Sequence, residues 1–317
     1  MLKFQGKFTK LELGHRLDYA LSKKIQNTSR SQIKKYILKN KIKINQCIIN
    51  KPSYKIKGHE IIDINSKNLT DFDFEPQNIP LNIIYNDDEI LIINKPSNFV
   101  VHPGSGNLNN TLVNALLFHY PNNIHIPRYG IVHRLDKNTT GLMLIAKTKK
   151  SYYSLVNQFI KKKITRQYEA IVHGVIPCDG IINQPIGRHP IKRTKMAIHH
   201  NGKNAITHYK IIENLIAFTH IKLILGTGRT HQIRVHMSYI NHAIVGDHTY
   251  KCKIKKNNLI NKNIKKFIQN FPRQALHAKI LHFYHPKTKK LIKIKTKLPK
   301  DIKYLKKYLK MYLLKKK

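Results

Sequence analysis

The 317-residue chain reads as an α+β protein, in which a small helix-and-strand domain precedes a larger domain built on a mixed, largely antiparallel sheet. Three observations predict this. Residues 15–64 place two short helical patterns ahead of two strand patterns. From residue 81, strand-like segments come in runs, and helical patterns intervene only at 111–119, 151–162 and 231–240. Such runs disfavour a regular alternation of strand and helix around a parallel sheet. Finally, a hydrophobic fraction of 41% supplies a packed core despite 59 Lys and Arg against 16 Asp and Glu, so the chain is not a disordered polycation.

The first domain is expected over 13–65. Leu17, Leu21 and Ile25 recur at helical spacing. Thr28, Ser29 and Ser31 then offer capping hydroxyls to a second helix with Ile33, Tyr36 and Ile37 on its apolar face. Lys41-Ile42-Lys43-Ile44 alternates with period 2, and Glu60 to Ile64 closes as another strand. Arg30, Lys34 and Lys35 fall on the exposed side of the helix pair. This pattern resembles the S4-type RNA-binding module. The bland reading of the same residues is a small α+β appendage with a solvated charged face.

Residues 66–80 are expected to form a linker, since Asp71, Asp73 and Glu75 cluster where acids are otherwise scarce, and Pro76 and Pro80 interrupt regular structure. The second domain is expected over 81–300. Its strands are read at 82–85, 90–94, 130–133, 142–147, 168–173, 205–212 and 217–225, with a hairpin turn at Asn86-Asp87-Asp88-Glu89. Residues 251–270 form a lysine-rich insertion. The basic tail, 301–317, places Tyr304, Leu305, Leu309 and Leu313 on one side of a helix.

The net charge of +43 points to a polyanionic partner, nucleic acid by default. The abundance of Lys, Asn and Ile, all with AT-rich codons, inflates that number, so its sign informs more than its size. Cys47, Cys178 and Cys252 are scattered and form no CxxC pair, which argues for a reducing compartment and against a cysteine zinc site. The N-terminus lacks an apolar signal core, and no apolar run reaches membrane-spanning length. The expectation is a cytoplasmic protein with no membrane partner.

The tetrapeptide His-Arg-Leu-Asp occurs twice, at 15–18 and 133–136. The first copy runs into a helix, where Asp18 is a first-turn acid favoured by the helix dipole. The second lies between the apolar segments Gly130-Ile131-Val132 and Leu142-Met143-Leu144-Ile145, on a loop that would present the Asp136 carboxylate in a fixed position. Taken alone, a loop aspartate is a turn residue more often than a catalyst. In Gly226 to Met237, Thr230 can cap a helix on which Gln232 and His236 share one face. Arg234 sits among Ile233, Val235 and Met237, so it is expected to be partly buried and to need a carboxylate, usually held bidentately. Asp136 is one candidate. His231 and His236 lack the spacing and companions of a metal site. Tyr168 opens a strand, either as a core residue or as a flat ring for a planar base.

HRLDKNTTGLMLIAK (133–147), RQYEAIVHG (166–174) and TGRTHQIRVHM (227–237), in this order behind an S4-like module, resemble the RluA-type family of ribosomal RNA pseudouridine synthases. The resemblance runs from about residue 13 to about residue 297, and the stretches FEPQNIPLNIIY and INKPSNFVVHPGSGN are most similar to members acting on the large ribosomal subunit. Thr140 stands where many members carry Ser, and the 251–270 segment departs from the pattern. The resemblance implies a pseudouridine synthase domain with Asp136 as catalytic carboxylate, Arg234 holding Asp136, and Tyr168 packed on the target base. Arg134 would fill the space left by an extruded uridine, a loop nucleotide being the cheapest to extrude. The implied partner is large-subunit ribosomal RNA or the pre-50S particle, with the helix 69 stem-loop as target. The implied enzyme is a monomer needing no metal, nucleotide or redox cofactor.

Overall fold

The structure, a computed structural model, describes residues 2–25, 28, 30–66, 74–104, 106–215, 217–251 and 262–314. The expected linker acids Asp71 and Asp73, much of the lysine-rich insertion (252–261) and the side chain of Lys35 lie outside the described residues. The chain divides into two compact units, Met1–Asp73 and Phe74–Lys317.

In the first unit, strand β1 (Leu2–Lys7) precedes helices α1 (Leu17–Lys24) and α2 (Arg30–Leu38) and strands β2 (Ile42–Ile44), β3 (Cys47–Ile48) and β4 (Ile61–Ser66). Strand β1 extends this unit N-terminal to the boundary at residue 13 read from the sequence. It pairs antiparallel with β4, Leu2 opposite Ser66, in a four-stranded sheet of order β1-β4-β2-β3. The expected apolar residues do close the core: Leu17, Leu21, Ile25, Ile33 and Ile37 of the helices pack against Ile42, Ile44, Ile62 and Ile64 of the strands.

The second unit begins with the hairpin β5 (Ile83–Asn86) and β6 (Ile90–Lys95). Asp87 shapes its turn by accepting hydrogen bonds from the backbone of Glu89 and Ile90, both at 2.8 Å. Helix α3 (Leu112–His119) starts with a capping box between Thr111 and Asn114. Strand β7 (Thr140–Ala146), helix α4 (Lys149–Ile160) and strands β8 (Thr165–His173), β9 (Gly180–Asn183), β10 (Ile186–Arg188), β11 (Met196–Ile198), β12 (Ile206–Leu215) and β13 (Phe218–Leu225) follow. Helices α5 (Gln232–Tyr239) and α6 (Lys262–Gln269), strands β14 (Leu276–Tyr284) and β15 (Leu291–Lys295), and helix α7 (Lys300–Leu314) complete it. Among the described residues the main sheet runs β5-β6-β7-β14-β8-β13-β12-β9, with β15 also on β14. Its pairings are antiparallel except β7 with β14, so the sheet is mixed and largely antiparallel.

Three local expectations are corrected. Residues 130–133 are not a strand: Arg128, Tyr129 and Gly130 take φ of +53°, +58° and +80°, and three successive left-handed residues cannot stay in a ladder. What remains is one bridge, Ile131 to Ile145. Nor does Thr230 cap α5; its N-cap is His231, itself left-handed at φ +56°. Helix α7 buries Ile302, Leu305 and Leu309, whereas Tyr304 faces solvent.

Candidate active site

The loop from Ile131 to Thr139 carries Asp136, and its backbone is secured at successive carbonyls. Thr139 N donates to Asp136 O at 3.0 Å. Lys137 O accepts from Phe99 N at 3.1 Å and from Lys95 Nζ at 3.0 Å. Asn138 O accepts from Arg273 Nη1 at 3.2 Å, and Gln274 Nε2 donates to Thr139 Oγ1 at 3.1 Å. On the entry side, Leu144 N donates to His133 Nε2 at 2.9 Å. On the exit side, Gly141 takes φ +118°, and a Cβ there would collide with the Ala278 backbone of the neighbouring strand. A loop tied this way holds its side chain without further ordering when a ligand arrives.

Lys95, the last residue of β6 after the apolar run 90–93 and Asn94, is fully buried. Its ammonium donates to Pro96 O, Phe99 O and Lys137 O at 2.7, 2.9 and 3.0 Å. Burial lowers it to about 7, against the attraction of Asp136. Arg273 is likewise buried, and its far edge is held bidentately by Asp301 at 2.7 and 2.9 Å.

Arg234 does contact Asp136, Nη1 to Oδ2 at 3.0 Å. Its bidentate partner, however, is Asp247 rather than Asp136: Nε and Nη2 reach the two Asp247 oxygens at 2.7 and 2.9 Å. Asp247 is completely enclosed and also accepts from the backbone of Thr249 and Tyr250 at 2.9 and 3.0 Å. Burial alone would lower the Arg234 guanidinium, but the carboxylates of Asp247 and Asp136 outweigh it and raise it further. Arg234 is therefore a permanent cation fixed by one aspartate and aimed at another. Its guanidinium also lies 5.0 Å over the Tyr250 ring.

The Asp136 side chain keeps 20% of its surface exposed in a cavity of about 750 Å³ lined also by Arg134, Arg166, Tyr168, Arg229 and His231, a ligand-sized space. Arg134 is exposed at its rim, and Tyr168 is buried in its wall. Burial pushes the Tyr168 phenol up; Arg166 opposes that shift and Asp136 adds to it, so the ring enters the cavity as a neutral phenol. His231 Nε2 stands 3.9 Å from Asp136 Oδ1, and its Nδ1 lies 2.7 Å from the Tyr250 hydroxyl. Gln232 and His236 share one face of α5, as expected, and both bond Thr207 Oγ1 of β12, at 3.0 and 2.9 Å.

The structure thus gathers four of the residues singled out from sequence, Asp136, Arg134, Tyr168 and Arg234, around one cavity. The others belong to the first unit. Arg30 pairs with Asp18 at 3.0 Å and lies over the Tyr19 ring. Lys34 is exposed. Sequence reasoning missed Asp247, Lys95 and Arg273. Asp247 follows Gly246 as an ordinary turn would, and Arg273 stands alone between Pro272 and Gln274. Lys95 did carry a signal, a cation two residues after the apolar run Ile90-Leu91-Ile92-Ile93.

Comparison with known proteins bears on the fold and the family. Residues 89–239 match the family model described as RNA pseudouridylate synthase, and residues 15–62 match the S4 domain. The chain is 49% identical over 290 residues to Ribosomal large subunit pseudouridine synthase D of Pasteurella multocida, covering 92% of this chain and 90% of that one. It is 47% identical over 275 residues to the protein of that name in Escherichia coli K12, covering 87% and 84%. Among solved structures, Human RNA Pseudouridylate Synthase Domain Containing 4 matches with a TM-score of 0.55 and 25% identity, over 73% of this chain and 93% of that one. With a loop aspartate set beside a fixed arginine and a wall tyrosine in a cavity, and with relatives of this similarity over most of its length, the chain belongs to the RNA pseudouridylate synthase family.

Proposed function

We propose that this pseudouridine synthase isomerises uridines of large-subunit ribosomal RNA in the helix 69 stem-loop, with Asp136 as its catalytic carboxylate. The observation that carries the reading is the placement of Asp136: its loop is tied at successive carbonyls and its carboxylate opens into a ligand-sized cavity beside a fixed arginine. The relatives' names, which specify the large ribosomal subunit, support the substrate.

Isomerisation breaks the N-glycosidic bond, turns the uracil and rejoins it through carbon; the ring nitrogen gains a proton and the new carbon centre loses one. Asp136 acts on sugar or base as nucleophile or stabilising base. Arg234, anchored by Asp247, keeps that carboxylate in place throughout. Tyr168 packs against the base and confines it while it is detached. Because its phenol is held neutral, packing suits it better than proton abstraction. Arg134, at the rim, occupies the space vacated when the nucleotide is extruded, a step costing a few kcal/mol and least in a loop. Lys34 and, from its sequence position, Lys35 bind RNA phosphates beyond the target, and Arg30, paired through one nitrogen with Asp18, offers its remaining N–H groups to the same backbone. The enzyme works in the cytoplasm as a monomer on ribosomal RNA or the pre-50S particle, without a cofactor.

The test is to incubate the purified chain with transcripts of large-subunit RNA, small-subunit RNA and tRNA and to map pseudouridine by carbodiimide-dependent reverse-transcription stops. Stops confined to the helix 69 loop are expected. Modification of tRNA or small-subunit RNA alone would overturn the substrate assignment.

A further inference from the structure

Helix α7 is organised in stripes. Ile302, Leu305 and Leu309 are buried in the second unit. Lys306 and Lys310 bind Glu213 of β12, the former at 3.0 Å. A third stripe, Tyr304 and Tyr308, lies one turn apart and meets Phe267 of α6. The Phe267 ring is 4.4 Å from Tyr308 and 5.8 Å from Tyr304, centroid to centroid, and the two tyrosine rings are 6.4 Å apart. Tyr304, the outermost, is 58% exposed. The fourth stripe, Lys303 and Lys307, is exposed.

Charge on this helix pair is strongly one-sided. Lys262, Lys265, Lys266, Lys300, Lys303 and Lys307 are exposed, and no carboxylate pairs with them among the described residues. The single acid in either helix, Asp301, is taken by Arg273. Six exposed lysines on two helices joined by a three-ring contact, with no carboxylate partner among the described residues, favour an anion lying across them.

We propose that the α6–α7 face is a second RNA-binding surface, taking an unpaired segment of the substrate RNA with a base stacked on Tyr304 and its phosphates on Lys303 and Lys307. It goes beyond the catalytic cavity and rests on the reading that the substrate is RNA. Every base offers a flat face to an aromatic ring, and lysines neutralise the backbone on either side. A lipid surface fits poorly, because the apolar stripe it would need is already buried in the fold.

The test uses the full chain, a fluorescent single-stranded oligoribonucleotide and a large-subunit RNA fragment, with binding followed by anisotropy across salt concentrations. Tyr304→Ala should weaken binding about tenfold with an unchanged salt slope, and Tyr304→Phe should retain affinity. The double variant Lys303→Gln, Lys307→Gln should flatten the slope of log K against log salt by about 1.4, roughly 0.7 for each phosphate left without its lysine. All variants should keep the wild-type thermal midpoint and the wild-type single-turnover rate at saturating RNA. Wild-type affinity and slope in the alanine and glutamine variants would overturn the proposal, as would equal losses in Tyr304→Phe and Tyr304→Ala. Unchanged RNA affinity with altered sedimentation of the protein alone would also overturn it, assigning the face to a protein contact. Wild-type protein that binds these RNAs but forms no pseudouridine would instead overturn the proposed activity and leave this surface standing.

Discussion

The two copies of His-Arg-Leu-Asp put identical residues to different uses. In the first unit, Asp18 is 3% exposed at the start of α1, and both of its oxygens are taken up by Arg16 and Arg30. In the second unit, Asp136 has one arginine bond, a histidine at 3.9 Å and an opening onto a cavity. Arg16 turns back onto its own aspartate, whereas Arg134 extends from the cavity rim. The difference arises from residues distant in sequence. Arg30 closes the first carboxylate; Arg234, committed to Asp247, leaves the second with an unfilled side. A saturated ion pair holds structure, and an incompletely saturated one, held rigidly, is available for chemistry.

Removing the distant cation should break this contrast most severely. Arg234→Gln leaves Asp247 enclosed without its counter-charge and Asp136 without its anchor. A loss of about 3–5 kcal/mol in urea unfolding is expected, together with loss of pseudouridine formation. Arg234→Lys should recover part of the stability and little of the activity, since one ammonium cannot serve both carboxylates in the same geometry. Asp247→Asn keeps the shape but loosens the guanidinium, so kcat should fall about 10²-fold with KM nearly unchanged. Wild-type kcat in that variant would show that Arg234 needs no anchor.

The two units also differ in how their buried groups respond to pH. Burial lowers His133 to about 3 and His277 to about 4, with nearby Arg166 and Arg273 adding to the respective shifts; burial likewise lowers His102 and His173, each to about 4. In the unfolded chain these imidazoles take up protons near 6.5. Below that pH the unfolded state binds more protons than the folded one. The second unit therefore has its full histidine contribution above about 6.5 and loses it as pH falls toward 4, by up to about 1.4 kcal/mol per pH unit for each histidine. Asp18 behaves differently: burial would raise it, but Arg16 and Arg30 hold it at about 2, so its contribution is lost only between about 3.8 and 2. Urea midpoints should fall between pH 7 and pH 5 for the full chain, and a midpoint that stays level or rises at pH 5 would contradict this. The mildest change is Asp18→Asn, for which about 1–2 kcal/mol of lost stability is expected, with catalysis on a minimal stem-loop intact.

The elements that could be read in the sequence were those with a helical period or an unbroken apolar run. The helix patterns of the first unit buried the residues their spacing implied, and strands β6, β8 and β13, read as apolar runs, are buried nearly continuously along their length. Residues 130–133 misled because Ile131 and Val132 look like a strand, while the left-handed turn at 128–130 that ends it depends on the packing of Gly130 against the Ala146 carbonyl. At the site, Asp136, Tyr168 and Arg234 were found through their motifs. Asp247 was not, because a bidentate partner thirteen residues from Arg234 leaves no periodic trace. Lys95 and Arg273 act on backbone carbonyls of the Asp136 loop; the apolar run before Lys95 marks that lysine as unusual, but nothing in the sequence points to the carbonyls that either residue bonds.

The central claim is that context, not the tetrapeptide, makes one aspartate catalytic. Asp136→Asn and Asp18→Asn, prepared in parallel, should be compared in single-turnover reactions with a large-subunit stem-loop, following pseudouridine by carbodiimide-dependent stops. Asp18→Asn should form product at the wild-type rate. Asp136→Asn should fold, bind the RNA and form none, a loss on the order of 10⁴-fold or more. Pseudouridine formed at an undiminished rate by folded, RNA-bound Asp136→Asn protein would contradict the account.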